Sequence, residues 1–350
     1  MKVFDLHSDL FTDIAWRKSR GEKNIFDRFH YPKLKEGEVD SIICEFWVEP
    51  KFRNHPYDRF QTLFQYVMSD LMDSKHAMIG HPLSDQRNNP DSEKIKIFFG
   101  VEGLTFMKDW KGETIEAKIE NTFNFLHENK FIHLIFAWNE RNFLATGTGA
   151  EDSKIKGLTD YGKIAVQMAN KKNWILDVSH LDETSFWDMY NASELPVIAS
   201  HSNARALCPH ERNLTDEQIK AIAERGGIIG LNTYGLFVDH ENPTIDKFID
   251  HAIYIADLVG PEHVAFGFDF VNYLESYDLG TEFNVYTRDL EDATKIPYLL
   301  EKMSKRGFTP EELESISFNN ADHYIKKLFS KEKDRPPCRK KFGTIGRMKT

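Results

Sequence analysis

An imidazole and a carboxylate two residues apart, His7 and Asp9 in VFDLHSD, close the first apolar run of the chain and could do chemistry together. On an extended strand, residues i and i+2 face the same way. A neutral imidazole and a carboxylate converging like this suit a divalent transition metal. Alone the pair says little, because His-x-Asp arises by chance and a histidine hydrogen-bonded at a strand end would read the same. Repetition strengthens it. Glu102 closes FFGVE, His180 closes ILDVSH, His201 closes VIASH and Asp269 closes AFGFD. Each polar residue follows several apolar ones, where a strand would end. Three histidines and three carboxylates gathered in one place can hold two metal ions with one carboxylate between them.

Positioning such a set requires strands whose ends converge. Eight apolar, β-branched or aromatic runs are present: Val3–His7, Val39–Val48, Ile95–Glu102, Phe131–Trp138, Trp174–His180, Pro196–His201, Ile228–Tyr234 and His263–Asp269. Runs of this kind suit strands buried on both faces, as in parallel sheets. Helix signals lie between them. Thr215-Asp216-Glu217-Gln218 is a capping box before Ile219 and Ile222, closed by Gly226-Gly227; Thr309-Pro310-Glu311-Glu312 opens another helix. A helix-like stretch also covers Ile245–Val259. Tyr31–Glu38 and Gly80–Pro90 read as loops. Eight strand–helix units with no Gly/Ser linker and no phosphate-binding glycine loop predict an α/β fold of the (β/α)8 TIM-barrel type, as in metal-dependent hydrolases. In that fold the ends of all the strands meet at one mouth, where catalytic residues collect. The expected organisation is one catalytic barrel over residues 1–329 and a basic C-terminal tail over 330–350.

Composition narrows the function classes. The chain has 350 residues, 41% of them hydrophobic, and a formal net charge of -10, which argues against broad electrostatic binding of nucleic acid, although Arg339–Lys349 is locally basic. No apolar run approaches the roughly 20 residues of a membrane span, and the N-terminus reads as no export signal, so a cytoplasmic protein with no membrane partner is expected. Three cysteines, Cys44, Cys208 and Cys338, form no CxxC pair. Any metal must therefore be held by histidine and carboxylates.

The strings DLHSDL, VEG, DVSH followed by Leu181-Asp182-Glu183-Thr184, and SHSNARALCPHERNL, in this order, resemble the membrane (renal) dipeptidase family, peptidase family M19 of the amidohydrolase superfamily. The similarity runs from the N-terminus to about Phe329. The resemblance implies hydrolysis of a dipeptide or dipeptide-like amide at two divalent metal ions, zinc by expectation. It implies that His7 and Asp9 bind one ion, His180 and His201 the other, and Glu102 bridges them, with Asp269 as the proton-transfer carboxylate. Arg212, in HERN, matches the residue that binds the substrate's free carboxylate; the plainer alternative is a surface arginine paired with Glu211 or Asp216. Two cations lower the pKa of a water they share and polarise the scissile carbonyl, and Asp269 can pass the nucleophile's proton to the leaving amine.

Two positions depart from the family. Where it places a histidine at the end of the fourth strand, to hold the substrate carbonyl or its oxyanion, this chain has Trp138, followed by Asn139. An indole N–H donates one hydrogen bond but carries no charge. In the eighth strand the family's DFDG becomes Asp269-Phe270-Val271-Asn272. Trp138 keeps two rivals in view: an amidohydrolase acting on N-acyl amino acids, lactams or esters, and a metal-binding barrel with weak or no peptidase activity. His133, odd in parity with Trp138, is assigned to the opposite face, and His251 to packing or surface. A homodimer is compatible with the sequence, which does not decide the oligomeric state.

Overall fold

The computed structural model describes residues 1–80, 82, 94–150, 153–281 and 285–330. Strand β1 (Val3–Ser8) is buried along its whole length because it pairs in parallel with β2 (Val39–Trp47) on one side and with β8 (Val264–Phe266) on the other. Such strands tend to be rich in apolar residues on both faces, which is what made the runs legible. The remaining strands are β3 (Ala77–Ile79), β4 (Ile95–Glu102), β5 (Phe131–Ile135), β6 (Ile175–Asp177) and β7 (Ile229–Leu231). Their order is β6-β5-β4-β2-β1-β8-β7, with the short β3 alongside the first half of β4. All these pairings are parallel.

Helices follow the strands and cover the sheet. The segments starting at Thr215 and Thr309 form the expected capping boxes, and Ile245–Val259 is helical at both expected ends. Apolar side chains such as Phe11, Phe46, Phe60, Phe99 and Phe131 pack between helices and strands. A separate group of Trp47, Val271, Leu274, Tyr277 and Leu279, with Trp16 and Trp138 against it, packs apart from this core. Among the described residues no helix is long and apolar enough to cross a membrane.

Several expectations need correction. The sixth run, Pro196–His201, forms no strand of its own: Ile198 bridges Asp177, Ala199 bridges Ile229, and the ladder between β6 and β7 is otherwise open. The fifth and eighth runs end as strands at Asp177 and Phe266, three residues before His180 and Asp269. The cause is visible in the hydrogen bonds. The amides of Ser179 and Ser200 donate to the carboxylate of Asp177, and that of Phe268 to Asp5, so they are diverted from the sheet. Tyr31–Glu36 is a helix, not a loop; Pro32 sits in its first turn, where a missing N–H costs nothing. Strand β3 was not anticipated, being three residues long. Most of Gly80–Pro90 and the basic tail from residue 331 lie outside the described residues.

Candidate metal centre

Strand ends deliver the six polar residues to one place. His7 lies within β1 and Glu102 ends β4, while Asp9 precedes the helix Leu10–Ser19 without capping it, which leaves its carboxylate free. His180 and Asp269 follow the shortened strands β6 and β8 on turns, with positive φ values of 66° and 55°, and His201 follows the bridged segment at Ile198 and Ala199. Left-handed backbone is unfavourable for such residues and persists only where surrounding contacts enforce it.

His180 Nε2 lies 2.7 Å from Glu102 Oε1 and 2.9 Å from His201 Nε2. His201 Nε2 is 3.8 Å from the same Glu102 oxygen. His7 Nε2 stands 3.9 Å from Glu102 Oε2, 4.0 Å from Asp9 Oδ2 and 3.8 Å from Asp269 Oδ1. Three overlapping donor groups result, each with its atoms within 4.8 Å: His7, Asp9 and Glu102; Glu102, His180 and His201; His7, His201 and Asp269. Glu102 belongs to the first two, through different oxygens.

The protonation pattern fits cations. His180 Nδ1 donates to Asn139 Oδ1 at 2.8 Å, which leaves the Nε2 lone pair aimed into the cluster. Ser200 Oγ stands 2.7 Å from His201 Nδ1, so this ring too can carry its proton on the outer side. Two lone pairs facing each other at 2.9 Å beside a carboxylate call for a positive charge between them. Burial lowers the pKa of His7 to about 3 and holds His180 and His201 well below the usual imidazole range, aided by Arg212. Burial, and then the neighbouring carboxylates, push Asp9 and Glu102 well up. Asp269 is raised to about 7 by burial, against the opposing pull of Asn232 and Arg212. Neutral imidazoles and carboxylates short of cations are the donor set of a divalent metal site. Among the described residues His7 Nδ1 and Asp9 Oδ1 are also buried without a hydrogen-bond partner.

Around the cluster stand residues of other kinds. Arg212 is buried, not a surface arginine: its Nη atoms reach Ser202 Oγ at 3.4 Å and the His201 carbonyl at 3.3 Å, and its Nε has no hydrogen-bond partner among the described residues. Trp138 is half-buried, with its ring 5.3 Å from Trp47 and 5.9 Å from His180, and the Arg53 guanidinium lies 5.3 Å from its centroid. Asn139 spends its carbonyl oxygen on His180.

Sequence reasoning passed over Asn232, whose Nδ2 donates to Asp269 Oδ2 at 3.0 Å; as the polar residue ending IIGLN it carried the same signal as the others. It also passed over Asp5 and Asp177, which accept amides from the ligand-bearing turns. His133 needs correction: it pairs in register with Gly100, two residues before Glu102 on the same face, and is fully buried between Glu45 and Asp177. The strand ends at Ile135, so parity cannot be counted back from Trp138. His251 is a packing residue, bonded to the Ala204 amide and the Val238 carbonyl.

Comparison with known proteins gives the family and the fold. A protein in the pqqA 5′ region of Klebsiella pneumoniae is 29% identical over 256 residues, 67% of this chain and 90% of its own. The dipeptidase aclJ of Aspergillus oryzae is 24% identical over 314 residues, covering 85% of this chain and 69% of that one. A solved metallo peptidase from Rhodobacter sphaeroides, liganded with a phosphinate mimic of the dipeptide L-Ala-D-Ala, shares the fold with a TM-score of 0.78 at 18% identity, over 94% of this chain and 99% of the other. The model of the membrane dipeptidases, peptidase family M19, matches residues 1–333, so the chain belongs to that family and with it to the metallo-dipeptidases.

Proposed function

We propose that this chain hydrolyses dipeptides or dipeptide-like amides with a free C-terminal carboxylate, at two divalent cations, zinc in this reading. His7 and Asp9 would hold one, His180 and His201 the other, and Glu102 both. The observation that carries the reading is the pair of donor groups sharing Glu102 through its two oxygens. The accompanying fold is a single (β/α)8 domain through residue 329, its eighth member supplied by the bridged segment at Ile198 and Ala199.

Cations bound there supply Lewis acidity, acidifying a water and polarising the scissile carbonyl. The protein's own groups do the rest. Asp269 takes the proton of the attacking water as the new C–O bond forms and returns it to the amine nitrogen as the C–N bond breaks, so no net proton is lost. Asn232 fixes one of its oxygens, leaving the other toward His7. Arg212, buried with an unused Nε, binds the substrate carboxylate beside the cluster and favours short substrates. Asn139 keeps His180 in the tautomer that binds a cation. Trp138 narrows the mouth and would border the substrate.

A second reading, hydrolysis of N-acyl amino acids, lactams or esters, is favoured by one observation: the aromatic Trp138 beside His180, where the family has a histidine. Elemental analysis and a substrate panel decide between them. About two metal ions per chain and chelator-sensitive turnover of dipeptides, including those with D-residues, are expected. Turnover confined to lactones or N-acyl amino acids would select the second reading. A protein that takes up no zinc would sink both.

A further inference from the structure

Below the metal centre, the sheet interior buries an ionisable cluster that this chemistry leaves unused. Glu45, His133 and Asp177 are each fully buried. The registers of β2, β4 and β5 set Glu45, Gly100 and His133 in one row. A Cβ on Gly100 would lie 2.2 Å from Glu45 Oε1, so only glycine in the middle of the row lets the carboxylate reach across β4. His133 Nδ1 lies 2.8 Å from Glu45 Oε1, and His133 Nε2 lies 2.9 Å from Asp177 Oδ2. The other Asp177 oxygen accepts the amides of Ser179 at 2.8 Å and Ser200 at 3.1 Å. Those two residues immediately precede His180 and His201.

Stability alone does not explain the arrangement, because apolar side chains of similar volume usually serve a core at least as well as buried ion pairs. What it supplies is direction. Burial alone would strip the proton from His133, but the flanking carboxylates override it and raise its pKa to about 10, so the ring donates from Nε2 to Asp177 while Nδ1 stands in ion-pair contact with Glu45. Burial likewise pushes Asp177 up, and the hydrogen bonds from His133, Ser200 and Ser179 bring it below the usual carboxylate range. A charged, doubly anchored acceptor therefore sits under two turns, one of which carries His180 at positive φ.

We propose that Glu45, His133 and Asp177 form a positioning triad in which Glu45 orients His133, His133 orients Asp177, and Asp177 fixes the turns that present His180 and His201 to the cation they share with Glu102. The proposal rests on the metal reading above. It places the geometry of one cation position, not both, under the control of residues that touch neither metal nor substrate. Supporting groups of this kind change metal affinity by roughly 10–100-fold when removed.

Cobalt serves as the probe, because its visible absorption reports ligand geometry independently of turnover. The metal-free full-length chain is loaded with cobalt and titrated against a chelator, for wild type, His133→Leu, His133→Gln and Glu45→Gln. Wild type is expected to bind about two equivalents. His133→Leu is expected to weaken one equivalent by at least about 10-fold and to shift its absorption, leaving the other at wild-type affinity. His133→Gln, which can still donate an N–H to Asp177, is expected to restore most of that loss. A folded His133→Leu protein with both equivalents unchanged overturns the proposal, as does an equal loss at both without rescue by glutamine. Should His133→Leu not fold, Glu45→Gln decides, being equal in size: an affinity drop at one equivalent supports the triad, and unchanged affinity at both overturns it. A wild-type chain that takes up no cobalt overturns the metal reading first, and is told apart by needing no variant.

Discussion

Gly100→Ala is the smallest change that tests how the interior is built. The added methyl would lie 2.2 Å from Glu45 Oε1 and 2.3 Å from Oε2, whereas a non-bonded contact needs roughly 3.5 Å. Glu45 must therefore retreat by more than about 1 Å, enough to break its 2.8 Å contact with His133. Overpacking costs about 1–3 kcal/mol, and stranding one partner of a buried ion pair about 3–5 kcal/mol when the loss is complete. Replacing glycine within a strand returns about 0.5–1 kcal/mol. A net destabilisation of at least about 3 kcal/mol is expected. Urea denaturation of the metal-free protein measures it without a contribution from ligand binding. The same substitution in a Glu45→Ala background should cost less than about 1 kcal/mol, since the space is then open. A wild-type-like midpoint for Gly100→Ala, or a penalty undiminished in the Glu45→Ala background, would refute the reasoning.

Asp269→Asn should retain both metals by elemental analysis yet lower kcat by at least about 10²-fold, because the amide cannot take up the proton; wild-type turnover would make Asp269 only structural. Arg212→Ala should raise KM chiefly for substrates with a free carboxylate, and an equal effect on amidated substrates would argue against the carboxylate clamp. Trp138→His should raise dipeptide turnover mainly in kcat, by up to about 10²-fold if the missing oxyanion donor is what limits the native protein. A folded, metal-loaded Trp138→His variant with no gain on any dipeptide would mean that the pocket is built for another substrate.

The residues of the polar cluster were legible because each obeys a local rule. His7, Glu102, His180, His201 and Asp269 close mostly apolar runs, the pattern expected of strands covered on both faces that end at an open mouth. The capping boxes at Thr215 and Thr309 were legible for a similar reason, since the side chain and the amide it accepts are three residues apart. Asn232 was legible on the same terms and was overlooked. Strand ends were not, because the bonds that end them are remote: the Phe268 amide leaves the sheet for Asp5, 263 residues away in sequence.

The sequence by itself determined the parallel α/β architecture, the polar residue types and their place at the ends of apolar runs, since periodicity and chemical identity are properties of short segments. Only the tertiary structure decided which oxygen of Glu102 faces which histidine, that Arg212 is buried beside them, and that His133 is clamped between Glu45 and Asp177. These depend on strand register, which sets Glu45, Gly100 and His133 side by side through pairings that no local pattern encodes. Register is fixed by the fit of the whole sheet and its helices. A buried charge's partners are chosen there, across strands, by which carboxylate the packed backbone brings within reach.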